Sequence, residues 1–336
     1  MKHLLNLLAA VALLVWGTQL VRTGILRVFG ASLRQIIARS VRTPVTAALS
    51  GVGVTAVVQS STATALIVSS FVGQGLIALP AALAVMLGAD VGSSVMAVVF
   101  SLDLSWLSPL CIFVGVVLYV PRPDTTVGRM GRVFIGLGLM LLALRLITEA
   151  TTVLTQSDTV RALLGALASD LAMELTMGAL LALVSYSSLA TVLLTATLVG
   201  SGGIPVTVAL GLVLGANLGS GLLAVLTTLR ANVATRQVPL GNLMFKITGV
   251  ALMAPLAAPW LQYMRPYVAS DATLVVLFHL AFNCTMAVVC IGLTKPVARL
   301  VAHLLPAEEA SATDTRPHHL DPSALATPSL AISCAA

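Results

Sequence analysis

The sequence predicts an all-α polytopic membrane protein with two inverted-topology repeats, each holding a re-entrant hairpin and a broken helix. Three observations predict it. Of 336 residues, 58% are apolar and 9% charged, against roughly 25% charged in a soluble domain. A surface that poor in charge belongs in lipid. Shifting the sequence by 127 residues superposes Gly51 on Gly178 and Gly88 on Gly215, with 18 identities in the 44 positions from 51 to 94. The matches include Gly, Ser and Thr, which apolar composition alone does not supply. Finally, segment 22–42 carries five arginines and no acid, whereas its shifted counterpart, 149–174, carries Glu149, Asp158, Asp170 and Glu174 against Arg161. Positive residues gather on the cytoplasmic side, so equivalent segments of opposite charge indicate copies of opposite orientation.

Apolar runs fall at about 4–21, 43–72, 78–100, 105–120, 133–150, 176–199, 206–228, 240–262 and 272–294. The first is read as a retained helix rather than a signal peptide, since no clear small-residue cleavage site follows it. Arg27 and Arg34, set among Ile25, Leu26, Phe29, Leu33 and Ile36, read as an interfacial amphipathic helix. Runs 43–72 and 176–199 are dense in Ser, Thr and Gly and are assigned as re-entrant hairpins; the other seven cross. Arg122, Arg129, Arg132, Arg230, Arg236, Lys295 and Arg299 then lie inside, with Lys2 left outside. An external N-terminus and a cytoplasmic C-terminus follow. The expected domains are repeat 1 at 1–130, repeat 2 at 131–304 and a disordered cytoplasmic tail at 305–336, rich in Pro, Ala, Ser, Thr and Asp.

The net charge of +6 does not indicate nucleic acid, because the basic residues sit between apolar runs. Cys111, Cys284, Cys290 and Cys334 have no paired metal spacing. No nucleophile with a base, Walker loop or metal cluster is visible, so no enzyme and no cofactor is expected. The oligomeric state is not legible.

Two polar motifs recur. Gln59-Ser60-Ser61-Thr62-Ala63-Thr64 is matched by Tyr186-Ser187-Ser188-Leu189-Ala190-Thr191, and Gly88-Ala89-Asp90-Val91-Gly92-Ser93-Ser94 by Gly215-Ala216-Asn217-Leu218-Gly219-Ser220-Gly221. In a bilayer, unwound backbone is tolerated only where it lines a cavity. Freed carbonyls with Ser, Thr, Gln and Asn oxygens suit a hard monovalent cation such as Na⁺. Half-helix N-termini suit an anion. The bland alternative is that hydroxyls bond the preceding turn and that glycines four apart, such as Gly88 and Gly92, serve close packing.

These motifs resemble those of the sodium/phosphate cotransporter family, the type II transporters and their bacterial relatives. That family carries two QSSSAT-like motifs, each followed by a GANIGTT-like one. Here they read QSSTAT from Gln59, GADVGSS from Gly88, YSSLAT from Tyr186 and GANLGSG from Gly215. Asn242 to Lys246 and His279 to Asn283 resemble its HxxFN pattern. The likeness covers roughly residues 4–300, and no added C-terminal regulatory domain is expected. The resemblance implies hairpin tips that meet near the midplane to bind phosphate and sodium. Transferred by position, phosphate falls to Ser60, Ser61, Thr62, Ser187 and Ser188. The cation falls to Gln59, Thr64, Asp90, Ser93, Ser94, Thr191, Asn217 and Ser220. Tyr186 replaces the second Gln, Leu189 a hydroxyl, and Asp90 and Lys246 stand where Asn is usual.

Three residues keep alternatives open, and a fourth has a simple account. Asp90 is a cation ligand, a proton site or a structural hydrogen-bond partner. Lys246 snorkels to the cytoplasmic interface, faces phosphate or pairs with Asp90. His279 is a helix–helix partner or a proton relay. Arg145, four residues before Glu149, forms a surface pair. The expected function is sodium-coupled phosphate transport by alternating access. A proton-coupled or efflux carrier of a small oxyanion, or a non-transporting sensor, stands as the alternative.

Overall fold

The computed structural model describes residues 2–102, 104, 106–154 and 170–306, and among them every regular element is helical. Residues up to Leu305 form one unit. The expected tail lies outside the described residues from 307 onward, as does 155–169 within the acid-rich segment.

The first helix, α1, runs unbroken over Lys2–Arg39. The expected division into a span at 4–21 and a separate interfacial helix is therefore corrected to one rod. Nothing breaks it, because segment 22–39 holds no proline and the arginines are good helix formers. Next come α2 (Pro44–Val58), α3 (Ser61–Gly73), α4 (Leu79–Ser101), α5 (Leu107–Tyr119) and α6 (Thr126–Leu154). Then follow α7 (Leu171–Ser185), α8 (Ser188–Gly200), α9 (Val206–Thr228), α10 (Val233–Met253), α11 (Ala257–Met264) and α12 (Asp271–Cys290). A 3₁₀ turn at Ile291–Leu293 leads into α13 (Thr294–Leu304). The boundary expected between 130 and 131 falls inside α6.

The repeat is visible in the element bounds. Adding 127 to the limits of α2, α3 and α4 gives the limits of α7, α8 and α9 residue for residue. Thr43 caps α2 through Thr46 N, and Asp170 caps α7 through Ala172 N. Beyond α4 the copies diverge: α5 has 13 residues, whereas α10, which starts near its shifted position, has 21.

Five described segments are long and apolar enough to cross a membrane: Leu4–Arg39, Leu79–Ser101, Thr126–Thr151, Val206–Thr228 and Asp271–Leu304. The pair α10 and α11, bent by 66°, makes a sixth if it counts as one span. This is an integral membrane protein. The run at 105–120, expected to cross, holds a 13-residue helix about 20 Å long, below the length of those spans, so it crosses only where its flanking residues complete the roughly 30 Å hydrocarbon core.

The glycine motifs correct a second expectation. Helices α4 and α9 run continuously through Gly88–Ser94 and Gly215–Gly221, so neither motif breaks its helix. Gly costs a helix only about 1 kcal/mol relative to Ala, and here the missing side chains let backbones touch. A Cβ on Gly88 would run into the Ala48 carbonyl of α2, and one on Gly215 into the Leu175 carbonyl of α7. Each motif is thus the face on which a long helix holds the first arm of its broken pair. Helices α1 and α6 use the same device, Gly17 and Gly136 each facing the other's carbonyl.

Candidate functional site at the paired helix breaks

The helix breaks fall within the hydroxyl motifs. Gln59 ends α2 with φ +59°, and Tyr186 ends α7 with φ +54°. Both are non-glycine residues in the left-handed region, which costs on the order of 1–3 kcal/mol each. No other non-glycine residue among those described has positive φ. Strain repeated at equivalent positions points to a job done at the breaks rather than to accident.

After each break the chain extends for one serine and starts a new helix. Ser60 Oγ accepts from Ala63 N at 3.2 Å, and Ser187 Oγ accepts from Ala190 N at 3.1 Å. As N-caps they satisfy the third helical N–H. The first two, from Ser61 and Thr62 and from Ser188 and Leu189, have no acceptor within their own helix. The breaks are braced from behind. Thr55 Oγ1 and Thr64 Oγ1 lie 2.7 Å apart across the first, and Ser185 Oγ and Thr191 Oγ1 lie 3.1 Å apart across the second.

The two breaks meet. Gln59, Ser60, Ser61, Thr62, Ser93, Ser187, Ser188 and Leu189 line one cavity of about 10 Å³. That is room for about one water, so a polyatomic ligand requires the breaks to part. Gln59 Oε1 is buried with no hydrogen-bond partner among the described residues, an acceptor set beside hydroxyl oxygens.

A second cavity of similar size lies alongside, lined by Thr18, Gln19, Arg22, Gln59, Ser60, Tyr186 and Ser187. Arg22 Nη1 lies 3.5 Å from Ser60 Oγ, at the long limit of a hydrogen bond, and the guanidinium also donates to Gln19. Arg22 is the candidate site residue that sequence reasoning missed. It was grouped with the cytoplasmic arginines of 22–42. Its position on α1, as the first arginine after a long apolar run, was the available signal. Among the described residues, two helix N-termini, five serines and the Arg22 cation thus face one junction, an arrangement that suits an oxyanion.

The remaining predicted residues do not line these two cavities. Thr64 and Thr191 brace the breaks, and Ser94 Oγ donates to Val91 O within its own helix. Asn217 Nδ2 lies 3.1 Å from His279 Nδ1, so His279 links α12 to α9. Asp90 and Ser220 both contact Lys246: Nζ lies 2.9 Å from Asp90 Oδ1 and 2.9 Å from Ser220 Oγ. The snorkelling reading of Lys246 is therefore corrected. The residue is 4% exposed, and its stem runs inward because a buried carboxylate awaits it. Arg145 and Glu149 form the expected exposed pair at 2.8 Å.

Comparison with known proteins agrees with this duplication. The Na⁺/Pi-cotransporter family model matches the chain twice, over residues 13–149 and 150–288. The "Putative inorganic phosphate export protein YjbB" of Escherichia coli (strain K12) is 49% identical over 336 residues, covering 100% of this chain and 62% of the relative. The protein of the same description from Salmonella typhimurium (strain LT2) has the same identity and coverage. The "Uncharacterized protein YqeW" of Bacillus subtilis (strain 168) is 24% identical over 311 residues, 92% of this chain and 100% of the relative. The chain thus spans 62% of the length of the YjbB relatives. No solved structure matches it significantly.

Proposed function

The chain belongs to the Na⁺/Pi-cotransporter family, and from that premise we propose that it carries inorganic phosphate across the membrane by alternating access, with sodium as the coupling ion. One observation carries the reading: two serine-capped helix starts and Arg22 converge on the junction of the two breaks. Phosphate takes the free N–H groups and hydroxyls of Ser60, Ser61, Thr62, Ser187 and Ser188. Arg22 supplies the positive charge that neutral donors lack.

Sodium is drawn to the oxygens that phosphate leaves unused, chiefly Gln59 Oε1 and the hydroxyls of Ser93, Thr64 and Thr191. The narrowness of the cavity supports a mechanism in which the breaks separate towards one side and then the other. The opposed charge of segments 22–42 and 149–174 supports an inverted pair of repeats, split near residue 130 and with the short α5 also crossing, in a bacterial cytoplasmic membrane with the C-terminal end inside. The export description of the YjbB relatives favours outward net movement. A carrier of this kind is reversible, so its direction follows the sum of the phosphate and ion gradients.

The test is ³²P-phosphate flux in proteoliposomes with and without an imposed sodium gradient. Flux that follows the gradient supports the coupling, and flux indifferent to it removes sodium from the proposal.

A further inference from the structure

The Asp90–Lys246 pair lies outside the two cavities of the phosphate junction. Asp90 is buried on α4 and Lys246 on α10, 156 residues apart in sequence. Each charge alone would be costly at this depth. Lys246 Nζ is held by one carboxylate oxygen and by Ser220 Oγ, both at 2.9 Å.

Three features make this arrangement specific. The partners are members of the two glycine motifs: Asp90 is the repeat counterpart of Asn217, and Ser220 that of Ser93. The ammonium therefore sits between the two copies, among hard oxygens of the kind an alkali cation takes. The second motif is also slimmer where α10 packs, beside both Leu243 and the Lys246 stem. Gly221 stands where the first copy has Ser94, and a Cβ there would lie 3.0 Å from Lys246 Cδ. Lastly, position 90 carries a carboxylate where the second copy carries the neutral Asn217, and that added charge is the one Lys246 meets.

We propose that the Lys246 ammonium is a tethered cation, occupying between Asp90 and Ser220 the place that a mobile monovalent cation would otherwise fill. This deepens the transport reading and rests on it only for the term transporter. The chain carries one counter-ion of its own, so fewer ions cross with each substrate than the oxygen-rich motifs suggest. Any sodium that does couple binds at the breaks, away from Asp90.

The test is thermal stability of the purified full chain, with sodium chloride titrated against choline chloride at constant ionic strength. The forms are wild type, Lys246→Ser, and Asp90→Asn with Lys246→Ser, each prepared with sodium present throughout. Lys246→Ser leaves the carboxylate unpaired beside the space the stem vacates. It is expected to lose several degrees in choline and to recover them saturably with sodium, beyond any response of wild type. The double variant gains no such response. An equal sodium response in all three forms overturns the proposal. So does a Lys246→Ser protein that cannot be recovered folded even in sodium while the double variant folds. Loss of both variants alike makes Lys246 a packing residue and overturns it too. The readout is stability, so its failure leaves phosphate flux untouched, and absence of flux leaves it standing.

Discussion

Replacing Arg22 by Gln removes the one positive charge that lines the junction of the breaks and keeps a polar side chain of nearly the same reach. The half-buried guanidinium faces the junction where the proposed reading sets the anion against Ser60 and Ser187. At an effective dielectric of about 20, unit charges about 4 Å apart attract by about 4 kcal/mol. Desolvation of both partners consumes part of that, and charged hydrogen bonds net about 1.5–3 kcal/mol. The expected loss is therefore on the order of ten- to a hundredfold in apparent phosphate affinity. Arg22→Lys keeps the charge without the planar fork and is expected to fall between. Initial rates in proteoliposomes across a range of phosphate concentrations measure this, with melting temperatures showing that each variant is folded. A merely structural Arg22 would shift melting and leave KM alone; its contact with Ser60, at 3.5 Å, is too long to brace much. An Arg22→Gln protein that transports with unchanged KM would refute the assignment.

Other outcomes follow from the same geometry. Ser60→Ala and Ser187→Ala each remove a helix N-cap and are expected to cost about 1 kcal/mol of stability, seen in thermal melts, along with weaker phosphate dependence. Gly88→Val and Gly215→Val push a branched side chain into the Ala48 and Leu175 carbonyls and should abolish folded protein in the membrane. Gly30→Ala, with open space around it, should express as wild type. Single cysteines at 34 and 161 should be labelled from opposite sides of the membrane, and equal labelling from one side would exclude inverted repeats.

The sequence made the breaks legible because a break leaves a local signature. A hydroxyl-rich tetrad at Gln59 and again at Tyr186 is improbable in a plain span, and the 127-residue shift carried the bounds of α2 to α4 onto α7 to α9. The glycine motifs were misread as unwound. Gly at i and i+4 serves a broken helix and a tightly packed one equally, and only the neighbouring carbonyls of Ala48 and Leu175 distinguish them. Arg22 was hidden by its company, since five arginines close together, four of them on α1, look like one cytoplasmic patch when the end of the span is placed too early. The Asp90–Lys246 contact was one of several open readings because residues 156 apart pair through topology, which local pattern does not encode.

Phosphate exchange in preloaded vesicles tests the carrier reading most directly. Proteoliposomes filled with unlabelled phosphate are given a trace of ³²P-phosphate outside, with sodium equal on both sides and no net driving force. A site that opens to one side at a time must return loaded, so internal phosphate should accelerate entry of the label, and Arg22→Gln should blunt that acceleration. Label entry no faster than in empty vesicles, or in vesicles without protein, would contradict alternating access through the paired breaks.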